Sequence, residues 1–138
     1  MQLDYRFEAR LTDSVEIGPV DGGLRVDNHF DGHMTHGELA GARVRGIDQI
    51  RIRADDSVAL DIRETIETER GAISADVRGY ALPDPDAPHL HEIRGFALFS
   101  TSVPEYAAYN TAVVAIEGTV DMATRTIAVT GRSRTARI

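Results

Sequence analysis

Glu64 sits where an acid needs a reason. In Val58-Ala-Leu-Asp-Ile-Arg-Glu-Thr-Ile-Glu-Thr68 the residues alternate as a strand does, so Glu64 shares a face with Val58, Leu60, Ile62 and Ile66. Asp48 repeats the pattern, in register with Val44, Ile50 and Ile52. A carboxyl on an apolar face is either paired or neutral. Burial raises its pKa and a nearby cation lowers it, so such a place can prepare a general acid or a general base. Glu64 and Asp48 are therefore candidate catalytic groups, with a buried ion pair or a water-filled strand end as the structural alternative.

Histidine gathers in His29-Phe-Asp-Gly-His33-Met-Thr-His36 and His89-Leu-His91. Imidazole with carboxylate suits zinc, iron or nickel, which keeps a histidine-based metal enzyme as an alternative. The spacing completes no metal motif, however, and the first cluster reads as a Gly-containing turn. His29 is a candidate acid or base, and His33 and His36 candidate ligand contacts, if that turn folds over an opening. Tyr106, Tyr109 and Asn110 form a third cluster. Two aromatic rings with polar tips could grip and orient a small ligand, or could plug a barrel end. No nucleophile elbow, phosphate loop or dinucleotide fingerprint occurs, so no cofactor is expected.

Short alternating segments must carry these groups. Leu3, Tyr5, Phe7, Ala9 and Leu11 oppose Asp4, Arg6, Glu8 and Arg10, which predicts a half-buried first strand beginning almost at Met1. Further strands are predicted at 13–17, 24–30, 38–53 with a break near Gly46, 58–68, 72–82, 92–101, 112–120 and 126–132. Turn formers separate them at Asp21-Gly22-Gly23, Ala54-Asp55-Asp56-Ser57 and Glu69-Arg70-Gly71. Pro83-Asp-Pro-Asp-Ala-Pro88 must be an exposed loop, and Ser102 to Asn110 is the one segment fit for a helical turn, with Pro104 in its first turn. The pattern predicts an all-β fold: a single closed antiparallel β-barrel of about eight to ten strands around a central cavity.

The 138 residues suit one domain, 1–138, with a core of ordinary size. With no cysteine, disulfides and thiolate chemistry are excluded. The formal net charge of -7 argues against nucleic acid as a partner. The charged N-terminus and the lack of a long apolar run argue against a signal peptide and a membrane partner, leaving a cytoplasmic location as the expectation.

Gly37-Glu-Leu-Ala-Gly-Ala-Arg-Val-Arg-Gly46, Val58-Ala-Leu-Asp-Ile-Arg63, Gly71-Ala-Ile73 and Val77-Arg-Gly79, in that order, resemble the motifs of domain-of-unknown-function family 3237, small bacterial β-barrel proteins. Pro104-Glu-Tyr-Ala-Ala-Tyr-Asn110 leading into Ala112 to Gly118 is similar to the family's late segment. The resemblance runs from about Gly22 to the C-terminus. It marks a divergent member, since Gly46-Ile-Asp48 stands where the family has a Gly-Gly-x-Asp-Trp segment, and the chain has no tryptophan. The resemblance implies a barrel with a central cavity, self-association as a homodimer, and no established reaction. It also singles out Asp61, Arg63, Thr65 and Glu67, on the strand face opposite Glu64. Asp61 and Arg63 are co-facial and would form a charged pair inside the barrel if that face were the inner one. Periodicity favours Glu64 inward.

Two function classes follow. One is a cofactor-independent enzyme, an isomerase, cyclase, dehydratase or lyase, moving a proton on a small apolar or aromatic molecule. The other is a binding protein that only carries such a ligand.

Overall fold

Eight strands follow one another around a closed ring, each hydrogen-bonded antiparallel to the next and β8 returning to β1. The computed structural model describes residues 3–133. The strands are β1 (Tyr5–Val20), β2 (Gly23–Gly37), β3 (Arg43–Ile52), β4 (Val58–Thr68), β5 (Gly71–Pro83), β6 (Leu90–Thr101), β7 (Val114–Asp121) and β8 (Thr126–Ser133), with a 3-10 helix, Pro104–Thr111, between β6 and β7. Closure removes the free sheet edges that would otherwise invite pairing with other chains. The predicted β4 matches its observed bounds, and the loop expected over Pro83 to Pro88 joins β5 to β6, except that Pro83 is the last residue of β5 and pairs with His91.

Nine predicted segments became eight strands because the first two are one. Residue 12 is an extra residue between Leu11, paired with Phe30, and Asp13, paired with His29, so a bulge breaks the alternation without ending the strand. Met1 and Gln2, where the first strand was expected to begin, lie outside the described residues. The histidine segment is also a correction. It continues β2 as far as Gly37, with Thr35 as a second bulge between Met34 and His36, rather than forming a turn. The real turn is Glu38 to Ala42, which sequence alternation had joined to β3, and Gly46 lies inside β3 rather than at a break.

Alternation decides what lies inside. Tyr5, Phe7, Ala9 and Leu11 of β1, Val44 of β3, Leu60 and Ile66 of β4, Ile73, Ala75 and Val77 of β5, Ala97 and Phe99 of β6, and Val114 and Ile116 of β7 form the core. The two ends differ. At the end where β4 meets β5, the 3-10 helix folds inward and buries Tyr106 and Tyr109. At the other end the inward Ile50, Ile52, Ile62, Val120 and Ile127 are only partly buried, so solvent reaches the interior from there. The sealed half of the lumen is filled with side chains. Among the described residues no helix is long and apolar enough to cross a membrane.

Candidate functional site

Glu64 points into the barrel. It is 5% exposed, and its Oε2 has no hydrogen-bond partner among the described residues. Its position follows from the β3–β4 register, in which Glu64 faces Gly46 and Ile62 faces Asp48. Asp48 is therefore the diagonal inward neighbour of Glu64 on the adjacent strand, and such positions stand about 7–8 Å apart. Asp48 is half-buried, lies nearer the open end, and has an Oδ1 without a partner among the described residues.

The environment acts on both carboxyls in one direction. Burial raises Glu64 to about 8, and the charge of Asp48 adds to the rise. Burial likewise raises Asp48 to about 7, against a hydrogen bond from the Asp61 backbone that lowers it, while the charges of Asp61 and Asp27 raise it. Register pairing between β3 and β4 is interrupted beside this contact, from Asp48–Ile62 to Arg51–Ala59. Among the described residues no ion pair joins either carboxyl to a cation. Two neighbouring acids whose pKa values are both raised toward neutrality can share a proton and act as donor and acceptor to one bound molecule.

Asp61 and Arg63 are on the outside. Arg63 Nη1 lies 2.6 Å from Asp61 Oδ1 and 2.7 Å from Asp76 Oδ1, and Arg78 Nε lies 3.3 Å from Asp61. These are cross-strand ion pairs on the solvent face of β4 and β5, so their candidacy as interior catalytic groups is overturned by the same alternation that turns Glu64 inward.

The β2 histidines face outward as well. His29, His33 and His36 are exposed, and the nearest polar partner of His36 is Thr35, whose Oγ1 lies 2.8 Å from Nδ1. His29 lines an outer-wall groove of about 480 Å³ together with Arg45 and Arg63, on the opposite side of the barrel wall from the lumen. Their expected role at a barrel mouth fails because the segment is a strand and not a folded-over turn. Among the described residues no group of three or more His, Asp or Glu side chains is placed to hold a metal ion.

The aromatic cluster is a plug. Tyr109 packs edge-on against Phe99 at 5.2 Å between centroids and against Tyr106 at 6.3 Å. Asn110 does not reach a ligand site: its Oδ1 accepts from Thr101 N at 2.7 Å and its Nδ2 donates to Thr101 O at 3.0 Å, which fastens the helix to β6. Burial pushes the Tyr109 hydroxyl up to about 12, and that hydroxyl has no partner among the described residues.

The architecture is shared. No family model matches the sequence, and no curated protein is similar to it. Solved structures do match. A protein of unknown function from Clostridium acetobutylicum has 19% identity, a TM-score of 0.80 and coverage of 97% of both chains. A β-barrel-like protein from Acinetobacter baumannii has 20% identity and a TM-score of 0.75, covering 96% of this chain and 92% of its own. An enzyme from Penicillium herquei has 20% identity and a TM-score of 0.58, covering 95% and 94%. By fold, this chain is one of these barrels.

Sequence reasoning missed Tyr5 as a site residue, although alternation had placed it inward. It is 3% exposed, and burial raises its hydroxyl well above the ordinary phenol range, with Glu64 the next contributor. A polar tip on an otherwise apolar inward face was the available signal. Asn28, 7% exposed, was missed as well. It accepts from Ser14 Oγ at 2.6 Å, and Arg125 Nη2 donates to that same hydroxyl at 3.1 Å, a polar cluster on the half of β1 and β2 beyond Leu11.

Proposed function

We propose that this barrel binds a small apolar or aromatic organic molecule and moves a proton on it without a cofactor, as an isomerase, cyclase, dehydratase or lyase. The observation that carries this reading is the inward pair Glu64 and Asp48, on adjacent strands, each with an oxygen that no group among the described residues satisfies. Buried polar groups without partners are uncommon in folded proteins, and a bound molecule would satisfy these. Half-buried isoleucines at the open end supply apolar contact. The chain contains neither cysteine nor lysine, which leaves carboxyl, imidazole and phenol groups for acid–base work. The similar fold of the Penicillium herquei enzyme is consistent with catalysis in such a barrel. The resemblance to domain-of-unknown-function family 3237 belongs to this same proposal.

A thermal-shift screen of small aromatic and terpenoid compounds, followed by Glu64→Gln, tests the reading. The variant is expected to keep measurable ligand binding and to lose turnover. Turnover unchanged in Glu64→Gln removes Glu64 from the mechanism, and ligand binding with no conversion of any bound compound makes the protein a carrier.

A further inference from the structure

The outer wall at β5 and β6 carries a repeat. Asp76-Val-Arg-Gly-Tyr-Ala-Leu82 and Glu92-Ile-Arg-Gly-Phe-Ala-Leu98 match in kind at all seven positions. The ladder pairs them antiparallel with Gly79 opposite Gly95, and a Cβ on either glycine would meet the carbonyl oxygen of the other's arginine, Arg94 at 2.1 Å or Arg78 at 2.2 Å. A local two-fold axis, normal to the sheet, therefore passes between the glycines. It takes in the flanking strands, since Val58-Ala-Leu-Asp61 pairs with β5 as Val114-Ala-Ile-Glu117 pairs with β6.

Core packing accounts for the inward half of the repeat, Val77, Ala81, Ile93 and Ala97, which are buried. The outward half has no such cause. Tyr80, Leu82, Phe96 and Leu98 are 45% to 51% exposed, four of the nine large apolar side chains exposed among the described residues. They form one ridge, because Tyr80 and Phe96 are diagonal neighbours across the ladder. The Arg53 guanidinium lies 4.8 Å from the Tyr80 ring centre and holds the ring in place. Beside the ridge runs a groove of about 310 Å³, lined by Arg51, Ala59, Asp61 and Arg78 together with Tyr80 and Phe96.

We propose that this face docks a second copy of the chain, about a two-fold axis that runs along the strands between β4 and β5. A two-fold interface must be its own complement, and this face is. Tyr80 is paired with Ala59 in the ladder, so the axis seats the Tyr80 ring of each copy over Ala59 of the other, ridge into groove. Asp61 is paired with Arg78 and Arg63 with Asp76, so the same axis sets each of these charges over its opposite on the second copy. The equivalent axis between β6 and β7 matches less well, giving Arg94 over Glu117 but Glu92 over Thr119. Within each copy Arg78 already pairs with Asp61 and Asp76, and Arg94 with Glu92, which lets chains of net charge -7 meet here. The four strands span about 19 Å by 20 Å over the length of the repeat. With side chains added, that approaches the ~800 Å² each partner gives a stable interface. The inference does not depend on the acid–base reading of the lumen.

Sedimentation velocity of the whole chain over a range of micromolar concentrations tests it, and a dimer is expected. Tyr80→Ser and Phe96→Ser should each raise the dissociation constant about 30-fold or more. Ala59→Gln fills the groove and should do the same, whereas Ala115→Gln, its counterpart under the local two-fold, should leave the dimer intact. All four positions face outward, and melting curves check that each variant is folded. A monomeric wild type overturns the proposal; if it binds an apolar dye that Phe96→Ser does not, the face belongs to a different partner. A dimer indifferent to Ala59→Gln, or broken by Ala115→Gln instead, overturns the axis and with it the proposal.

Discussion

Glu64 faces Gly46 across the β3–β4 ladder, and the ring of Phe30 occupies the space that a side chain at 46 would take. The notch matters because it brings an aromatic wall from β2 toward the strand that carries the buried acid. Burial is the main cause of the raised Glu64 pKa.

Gly46→Ala would put a Cβ 2.9 Å from Phe30 Cζ and 2.3 Å from Arg63 O. Neither the ring nor the backbone can withdraw freely in a packed barrel. The substitution is expected to cost about 1–3 kcal/mol, measured as a lower urea midpoint with an unchanged slope.

Stability should fall as pH rises through the neutral range. Glu64 and Asp48 have folded pKa values near 8 and 7, above their ordinary 4.5 and 3.8. Between the ordinary and the folded values the unfolded chain has lost the proton that the folded one keeps, so each pH step favours unfolding. The effect is complete below pH 4, declines from about pH 4 to 8, and is flat above. Glu64→Gln is neutral at every pH. Melting curves should show it gaining on the wild type at pH 8 relative to pH 5.

Asn110→Ala removes both bonds that hold the 3-10 helix to Thr101. The Thr101 N–H and C=O can turn to water in part, so the expected loss is about 1–2 kcal/mol. Hydrogen exchange should show the helix opening before the barrel does.

Arg63→Ala tests the outer face. Arg63 and its partners Asp61 and Asp76 are solvent-accessible, so the change in stability should stay within about 1 kcal/mol and shrink further in high salt. Binding of any lumen ligand should be unaffected. A loss of binding comparable with that in Glu64→Gln would return Arg63 to the site.

The period of two along Leu3 to Leu11 and Val58 to Thr68 was legible in the sequence, and with it the sharing of one face by Glu64 and its apolar neighbours. The β2 histidines were misread because bulges at residues 12 and 35 break the alternation, and because Gly32 imitates a turn inside a strand that continues. Asn110 was misread because an amide that could hold a ligand can equally hold a backbone, and only the contact with Thr101 distinguishes the two.

Alternation is a local property, so the sequence alone determined the all-β character, the turns around Gly22, Asp56 and Gly71, and which side chains share a face. Which face became the interior, how many strands closed the ring, and which end was sealed depend on contacts between residues far apart in the chain. Tyr5 opposite Gly131 joins the two ends of the chain, and its edge-on contact with Phe99 crosses from β1 to β6. Burial, and with it the raised pKa of both acids, came from that closure, because desolvation depends on everything that surrounds a group and not on its neighbours in sequence.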